Sequence, residues 1–245
     1  MRKLLTFSAA LILGASALCA QEPSPYNPAG RWYVSVQGGP MYQSNENAFS
    51  YRYNNYGSKL ITYDAAVSVG YNFDEIYGIR ASVNYGLNRS ACNTVQTSSH
   101  GFYPYDFKSI GGFVDFTIDI NGLNAVDKAF SPKIYGGIGM GHSFGFSKPA
   151  DYGDQRTVAW QKEEKFHPWQ HVNESNNAFA FRFGLIAEYN FTGGFGLFAD
   201  LSLEAYTDRF NGLLPFEEDH TAGTGYAGFP FDLRIPLNLG VLFRF

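Results

Sequence analysis

The sequence predicts an all-β chain, an eight-stranded antiparallel up-and-down transmembrane β-barrel. Three observations predict it. Eight segments alternate apolar and polar residues with a period of two. The connections between them alternate between short and long. Beyond the N-terminal leader, no stretch approaches the ~18 consecutive apolar residues of a spanning helix. A chain that enters lipid without helices must close its sheet, because only closure gives every backbone N–H and C=O a partner.

The leader, MRKLLTFSAALILGASALCAQ, joins a basic start (Arg2, Lys3) to an apolar run and small residues. This is the pattern of a secretory signal peptide cut after Ala20, and it assigns residues 1–20. Cys19 suggests a lipoprotein, but Leu18 stands where such signals carry Gly, Ala or Ser. Residues 21–30, with Pro23, Pro25 and Pro28, are too proline-rich for a sheet and read as a short periplasmic linker. Residues 31–245 are assigned to the barrel, with no second domain.

The first segment, 31–42, sets Trp32, Val34 and Val36 against Tyr33, Ser35 and Gln37. Segments 60–72 and 76–88 oppose Tyr63, Val67 and Val69 to Asp64 and Ser68, and Ile79, Val83 and Leu87 to Arg80, Ser82 and Asn84. The fourth, 108–120, places Ile110, Val114 and Phe116 opposite Asp115 and Asp119, and the fifth, 133–146, is glycine-rich. Segments 177–191 and 195–206 oppose Phe181, Phe183 and Leu185 to Arg182 and Glu188, and Leu197, Leu201 and Leu203 to Asp200 and Glu204. The last, 231–245, has large apolar residues at every odd position, with Asp232, Arg234, Asn238 and Arg244 between them. Such strands exceed the usual soluble length of about 5–6 residues, and they suit a tilted crossing of a bilayer.

Residues 72–75 and 192–194 read as tight turns and 121–131 as a moderate one, whereas 43–59, 89–107, 147–176 and 207–228 read as long connections. Short turns at one end and long loops at the other are expected of periplasmic and external faces respectively. An even strand number then leaves both termini periplasmic.

The closing octet, Asn238-Leu-Gly-Val-Leu-Phe-Arg-Phe245, resembles the terminal signal of bacterial outer-membrane barrels in Asn238, Gly240, Phe243 and Phe245. With the leader and eight alternating segments, the chain resembles the small eight-stranded outer-membrane barrels, OmpA-transmembrane-domain-like and OmpX-like. The resemblance implies residence in the outer membrane, contact with its lipid, and recognition of the octet by the barrel-assembly machinery. Cell-wall anchoring is not carried over, because the OmpA-type peptidoglycan-binding domain has no counterpart here. A secreted β-sandwich would use shorter strands and short connections at both ends.

In lipid the apolar faces point outward, so the polar positions fill the lumen. Asp64, Arg80, Asp115, Asp119, Arg182, Glu188, Asp200, Glu204, Asp232, Arg234 and Arg244 are expected there. Eight strands leave a bore just wide enough for side chains, and charges crowded in it are expected to pair. Gly137, Gly139, Gly141 and Gly145 are expected to face inward and make room for Phe113 and Tyr135. The run Gly136-Gly-Ile-Gly-Met-Gly141 lacks the spacing and the following helix of a nucleotide loop.

The chain has 22 acidic residues against 18 basic ones, loses Arg2 and Lys3 with the leader, and carries no basic cluster. Nucleic acid is therefore not an expected partner. Cys92 has no cysteine partner outside the leader, so no intrachain disulfide is expected.

His100, His142, His167, His171 and His220 fall in or beside the long loops. The stretch His171-Val-Asn-Glu-Ser-Asn-Asn-Ala178 is faintly similar to the His-x-Ser-Asn-Ala stretch of lipid A deacylases. It departs from that pattern in Ser175, four residues after His171 instead of two, and in Asn177. No catalytic residue, metal or cofactor is assigned. Trp160, Phe166 and Trp169 in the third long loop offer an aromatic surface for an envelope protein or glycan, or else belong to the aromatic belt at the lipid interface.

The expected function is that of a non-enzymatic outer-membrane barrel with a plugged polar lumen, structural or surface-binding through its loops, and accessory to a larger envelope complex. A lipid A-modifying enzyme and a narrow channel for small solutes are the alternatives.

Overall fold

The structure is a computed structural model. It describes residues 29–44, 60–93, 102–124, 129–147, 175–191, 194–207, 210–211 and 231–245. Eight strands run β1 (Arg31–Ser44), β2 (Ile61–Asn72), β3 (Tyr77–Asn93), β4 (Phe102–Asp119), β5 (Phe130–Phe144), β6 (Ser175–Asn190), β7 (Phe195–Thr207) and β8 (Phe231–Arg244). Every neighbour pair is antiparallel, and β1 pairs with β8, so the sheet is a closed barrel in sequence order. Closure leaves no free sheet edge around the wall.

The period-two pattern turns directly into two faces. Val36, Tyr63, Val67, Ile138, Phe179, Phe183 and Leu239 are exposed on the outside. Ser35, Ser68, Ser82, Asn84, Thr117 and Ser202 are buried inside. This inside-out distribution is that of a barrel in lipid.

At the end holding the termini, the connections are short. Asp74 Oδ1 accepts from the Ile76 and Tyr77 amides at 2.8 and 2.5 Å, closing the β2–β3 turn. Between β4 and β5, where a moderate turn is expected over 121–131, residues Ile120–Leu123 form a single helical turn, α1. Its N-cap Asp119 accepts from Asn121 N at 2.9 Å. Gly194, before β7, has φ +84°, and a Cβ there would lie 2.6 Å from the Arg244 carbonyl oxygen. Gly194→Ala is therefore expected to cost about 1–3 kcal/mol, from left-handed strain and a backbone clash together. The shift in urea midpoint of the refolded barrel measures it.

At the opposite end, β3 and β4 extend further than the sequence suggests. The pattern of residues 89–107 predicts a long connection, yet pairing continues to Asn93↔Phe102. Along this extension the two faces exchange character. Outward Lys108 and Asp106 are exposed, and Arg89 Nε reaches Asp106 Oδ1 at 2.5 Å. Inward Tyr105 and Phe107 are buried. The hairpin leaves the inside-out regime here and acquires an ordinary aqueous pattern, apolar within and charged without.

Two interruptions of the ladder flank β8. Gly39 and Pro40 are skipped between Gly38↔Leu239 and Met41↔Pro236. Ser202 and Leu203 are skipped between Leu201↔Leu237 and Glu204↔Arg234. Pro40 and Pro236 have no N–H to donate, which accounts for missing rungs beside them.

Candidate functional site in the barrel interior

The inward positions of the strands stack charges in tiers. Nearest the termini, Lys133 Nζ lies 3.1 Å from Glu188 Oε2 and 3.9 Å from Asp119 Oδ2. Arg244 bonds Glu188, and its Nη1 donates to Asn190 Oδ1 at 2.5 Å. The Ser131 hydroxyl donates to Asp119.

The central tier is built around Asp115, whose side chain is fully enclosed. Arg80 Nε and Arg182 Nη2 reach Asp115 Oδ2 at 2.9 and 2.5 Å. Arg80 Nη1 crosses the lumen from β3 to Asp200 on β7 at 2.9 Å. The Tyr135 hydroxyl donates to Asp200 Oδ1 at 2.7 Å. The Arg80 guanidinium lies 4.2 Å from the Tyr135 ring centroid, and that of Arg182 lies 4.0 Å from the Phe113 ring centroid. Cation–π contact thus supplements ion pairing where water is excluded.

Toward the loops, Arg234 bridges Asp64 Oδ1 at 2.7 Å and Glu204 Oε2 at 3.1 Å. Arg182 Nη1, 3.6 Å from Glu204, links this tier to the one below. The Tyr206 hydroxyl donates to Glu204 Oε2 at 3.1 Å, and Asn238 Nδ2 donates to Asp64 Oδ2 at 3.1 Å. Asp232 accepts from the backbone N of Asn211 at 2.9 Å.

All eleven charged positions of the lumen set are buried. Lys133 is missing from that set, although its odd position aligns it with inward Tyr135. Among the described residues, Lys133 and the four buried arginines face seven buried carboxylates.

Four inward aromatics lie over a glycine directly opposite in the register: Tyr33 over Gly70, Phe113 over Gly139, Tyr135 over Gly184 and Phe198 over Gly240. A Cβ at these glycines would come within 2.2, 2.5, 2.3 and 2.4 Å of the respective rings. Room for Tyr135 therefore comes from Gly184 on β6, not from the glycines of its own strand. Gly145, expected in the inward row, lies beyond β5 with φ +64°.

Sequence reasoning also missed an aromatic layer at the loop end. Tyr105, Phe107, Phe113, Tyr206 and Phe210 are buried with Ala178 and Ala180, and Phe146 packs against them. The signal available was parity, since Phe107 and Tyr105 continue the odd, inward row of Ser109 and Phe113.

Of the terminal octet, Asn238 and Gly240 face inward, while Phe243 and Phe245 face outward at the terminal end, with ring centroids 6.4 Å apart. Trp160, Phe166 and Trp169 lie outside the described residues, as do His100, His167, His171 and His220. His142 sits on the outer wall with Nδ1 2.8 Å from Asn177 Oδ1. Ser175 opens β6 opposite Phe144.

A closed, eight-stranded, all-antiparallel barrel with an apolar wall and an ion-paired interior defines a small outer-membrane-type β-barrel. Solved structures similar to this chain include one that shares the fold. A major outer membrane protein from Thermus thermophilus matches with TM-score 0.50 at 13% identity, covering 89% of this chain and 100% of that one. Neisserial surface protein A matches at 12% identity and TM-score 0.47, covering 92% and 100%. Ail, the attachment invasion locus protein of Yersinia pestis, matches at 14% identity and TM-score 0.44, covering 89% and 99%. No protein-family model matches the sequence, and no curated protein does.

Proposed function

We propose that this chain is a non-enzymatic integral protein of a bacterial outer membrane. Its lumen is sealed by ion pairs, and its wall serves as a rigid mount for loops that bind at the cell surface. The observation that carries this reading is the continuity of the charge tiers: Arg244, Lys133, Arg80, Arg182 and Arg234 each contact buried carboxylates. Arg182 touches carboxylates of two tiers and so ties the central tier to the one nearer the loops. A solute crossing this interior would have to part several pairs at once, each leaving an uncompensated buried charge.

The lipid-facing wall makes membrane lipid its constant partner, and the octet Asn238, Gly240, Phe243 and Phe245 is offered to the barrel-assembly machinery during insertion. Both termini lie on the periplasmic side, the side of the short turns. Surface binding of an envelope protein or glycan falls to the long loops, including Trp160, Phe166 and Trp169, and the chain acts as an accessory to a larger envelope complex.

Planar-bilayer recording of the purified protein tests the seal. The expected record is closed, with no steady conductance above the lipid background. Steady large conductance in the unmodified protein would overturn the sealed-lumen reading and favour a channel.

A further inference from the structure

Phe210 and Asn211 belong to the connection after β7, yet both are buried as deeply as wall residues. The Phe210 ring stacks on Tyr206 with centroids 3.9 Å apart and planes 13° apart. It also meets Phe107 edge-on at 5.8 Å. Asn211 is tied by backbone at both ends: its N donates to Asp232 Oδ2 at 2.9 Å, and its carbonyl accepts from the Tyr105 hydroxyl at 2.7 Å. The wall beside them is hollowed to receive the rings. A Cβ on Gly141 of β5 would lie 2.4 Å from Tyr206 and 2.9 Å from Phe210.

We propose that Phe210–Asn211 is a stopper seated in the loop-end mouth of the lumen. Its withdrawal admits water and small cations to a vestibule floored by Asp64, Glu204 and Asp232 around Arg234. The inference rests on the sealed-lumen reading and extends it: the ion pairs close the bore, and the stopper closes the mouth above them. Two features argue for a seat instead of incidental loop packing. The hold on Asn211 is through its backbone, so it fixes chain position whatever the side chain. The notch at Gly141 is on β5, two strands from β7, so the space is contributed by a strand that does not pair with β7. Among the described residues the vestibule's three carboxylates exceed its two guanidiniums, Arg234 and the Arg182 that reaches Glu204, which sets the preference for cations.

Ser109 is the reporter. It is buried, and a Cβ on Gly86 would contact both its Oγ and Arg234 Nη2, which places it at the level of the ion pairs under the stopper. The Ser109→Cys thiol is introduced with Cys19 and Cys92 replaced by serine, and its reaction with aminoethyl and sulfonatoethyl methanethiosulfonate is followed by mass in the refolded full barrel. Lys108→Cys, exposed on the outer wall, calibrates reagent strength. In the parent, Ser109→Cys reacts slowly. Phe210→Ala speeds it by about tenfold or more, as loss of a contact holding a closed state does. Asp232→Asn, which keeps the ring but weakens the hold on Asn211, moves the rate the same way. In Phe210→Ala the cationic reagent outpaces the anionic one, and in Asp232→Asn, which has lost one of the three carboxylates, that preference shrinks.

Equal rates in parent and variants, with heat-modifiable gel mobility showing folded barrels, would overturn the stopper. If Phe210→Ala does not refold, Asp232→Asn decides the matter alone. Fast labelling already in the parent would instead sink the sealed-lumen reading beneath it. Slow labelling throughout would leave that reading standing and remove only the stopper.

Discussion

Asp115→Ala is expected to lower the stability of the refolded barrel by about 3–5 kcal/mol, the cost of leaving buried charge without its partner. Asp115 holds two arginines, Arg80 and Arg182, at 2.9 and 2.5 Å, and its side chain is fully enclosed. Removing it leaves two guanidiniums facing each other, with Asp200 and Glu204 remaining as acceptors. Asp115→Asn keeps an acceptor for one of them and is expected to fall between parent and alanine variant. Urea titration in lipid vesicles measures all three chains. A loss below about 1 kcal/mol would place the pair in the range of solvated surface bridges. It would mean that water reaches the centre of the lumen and takes over the role assigned to Asp115.

Gly240→Ala is expected to cost about 1–3 kcal/mol by overpacking, because the new methyl meets Phe198 Cζ at 2.4 Å and the Val36 carbonyl at 2.7 Å. Gly240 also occupies the glycine position of the terminal octet, so its effects on stability and on assembly have to be separated. The separation comes from repeating the substitution in a Phe198→Ala background. If the ring is the obstacle, Gly240→Ala costs much less there, and the difference is the coupling between the two positions. The Val36 carbonyl remains, so some penalty persists. Insertion in cells gives the second readout. Recovery of stability in vitro without recovery of insertion would assign the glycine to recognition by the assembly machinery. Recovery of both would assign it to packing against Phe198.

The strands were legible in the sequence because lipid and lumen impose one periodicity on every segment. Parity alone sorts Asp64, Arg80, Arg182 and Arg234 to the interior. It says nothing of which charges meet. Arg80 on β3 bonds Asp200 on β7 across the bore, a partnership set by strand tilt and stagger and not by any local spacing. The extension of β3 and β4 escaped because its pattern is inverted. Above Leu87 and Ile110 the outward residues become Arg89, Asp106 and Lys108, while Tyr105 and Phe107 turn inward. A reading that equates apolar with outward sees a loop there. Lys133 was hidden by its place at the very start of its segment, beside Pro132, and the seat of Phe210 by the distance along the chain between Gly141 and Tyr206. The terminal octet was visible as a string, but the packing reason for its glycine needed the register that puts Phe198 opposite.

The aromatic–glycine pairs bear on how the chain finds one arrangement among many. Alternation is degenerate: sliding a strand by two residues restores apolar outside and polar inside. The pairs break that degeneracy. Slipped by two, Tyr33 would face Ser68 or Asn72 in place of Gly70. Tyr135 would face Arg182 or Ile186, and Phe198 would face Asn238 or Leu242, all with side chains where the ring must lie. Phe113 differs, because a slip by two would set it against another glycine, Gly137 or Gly141, which flank Gly139. Three seams thus carry their own address, while β4–β5 and the four seams without such a pair inherit their alignment from these three. A wrongly threaded barrel would be rejected first at β1–β2, β5–β6 and β7–β8.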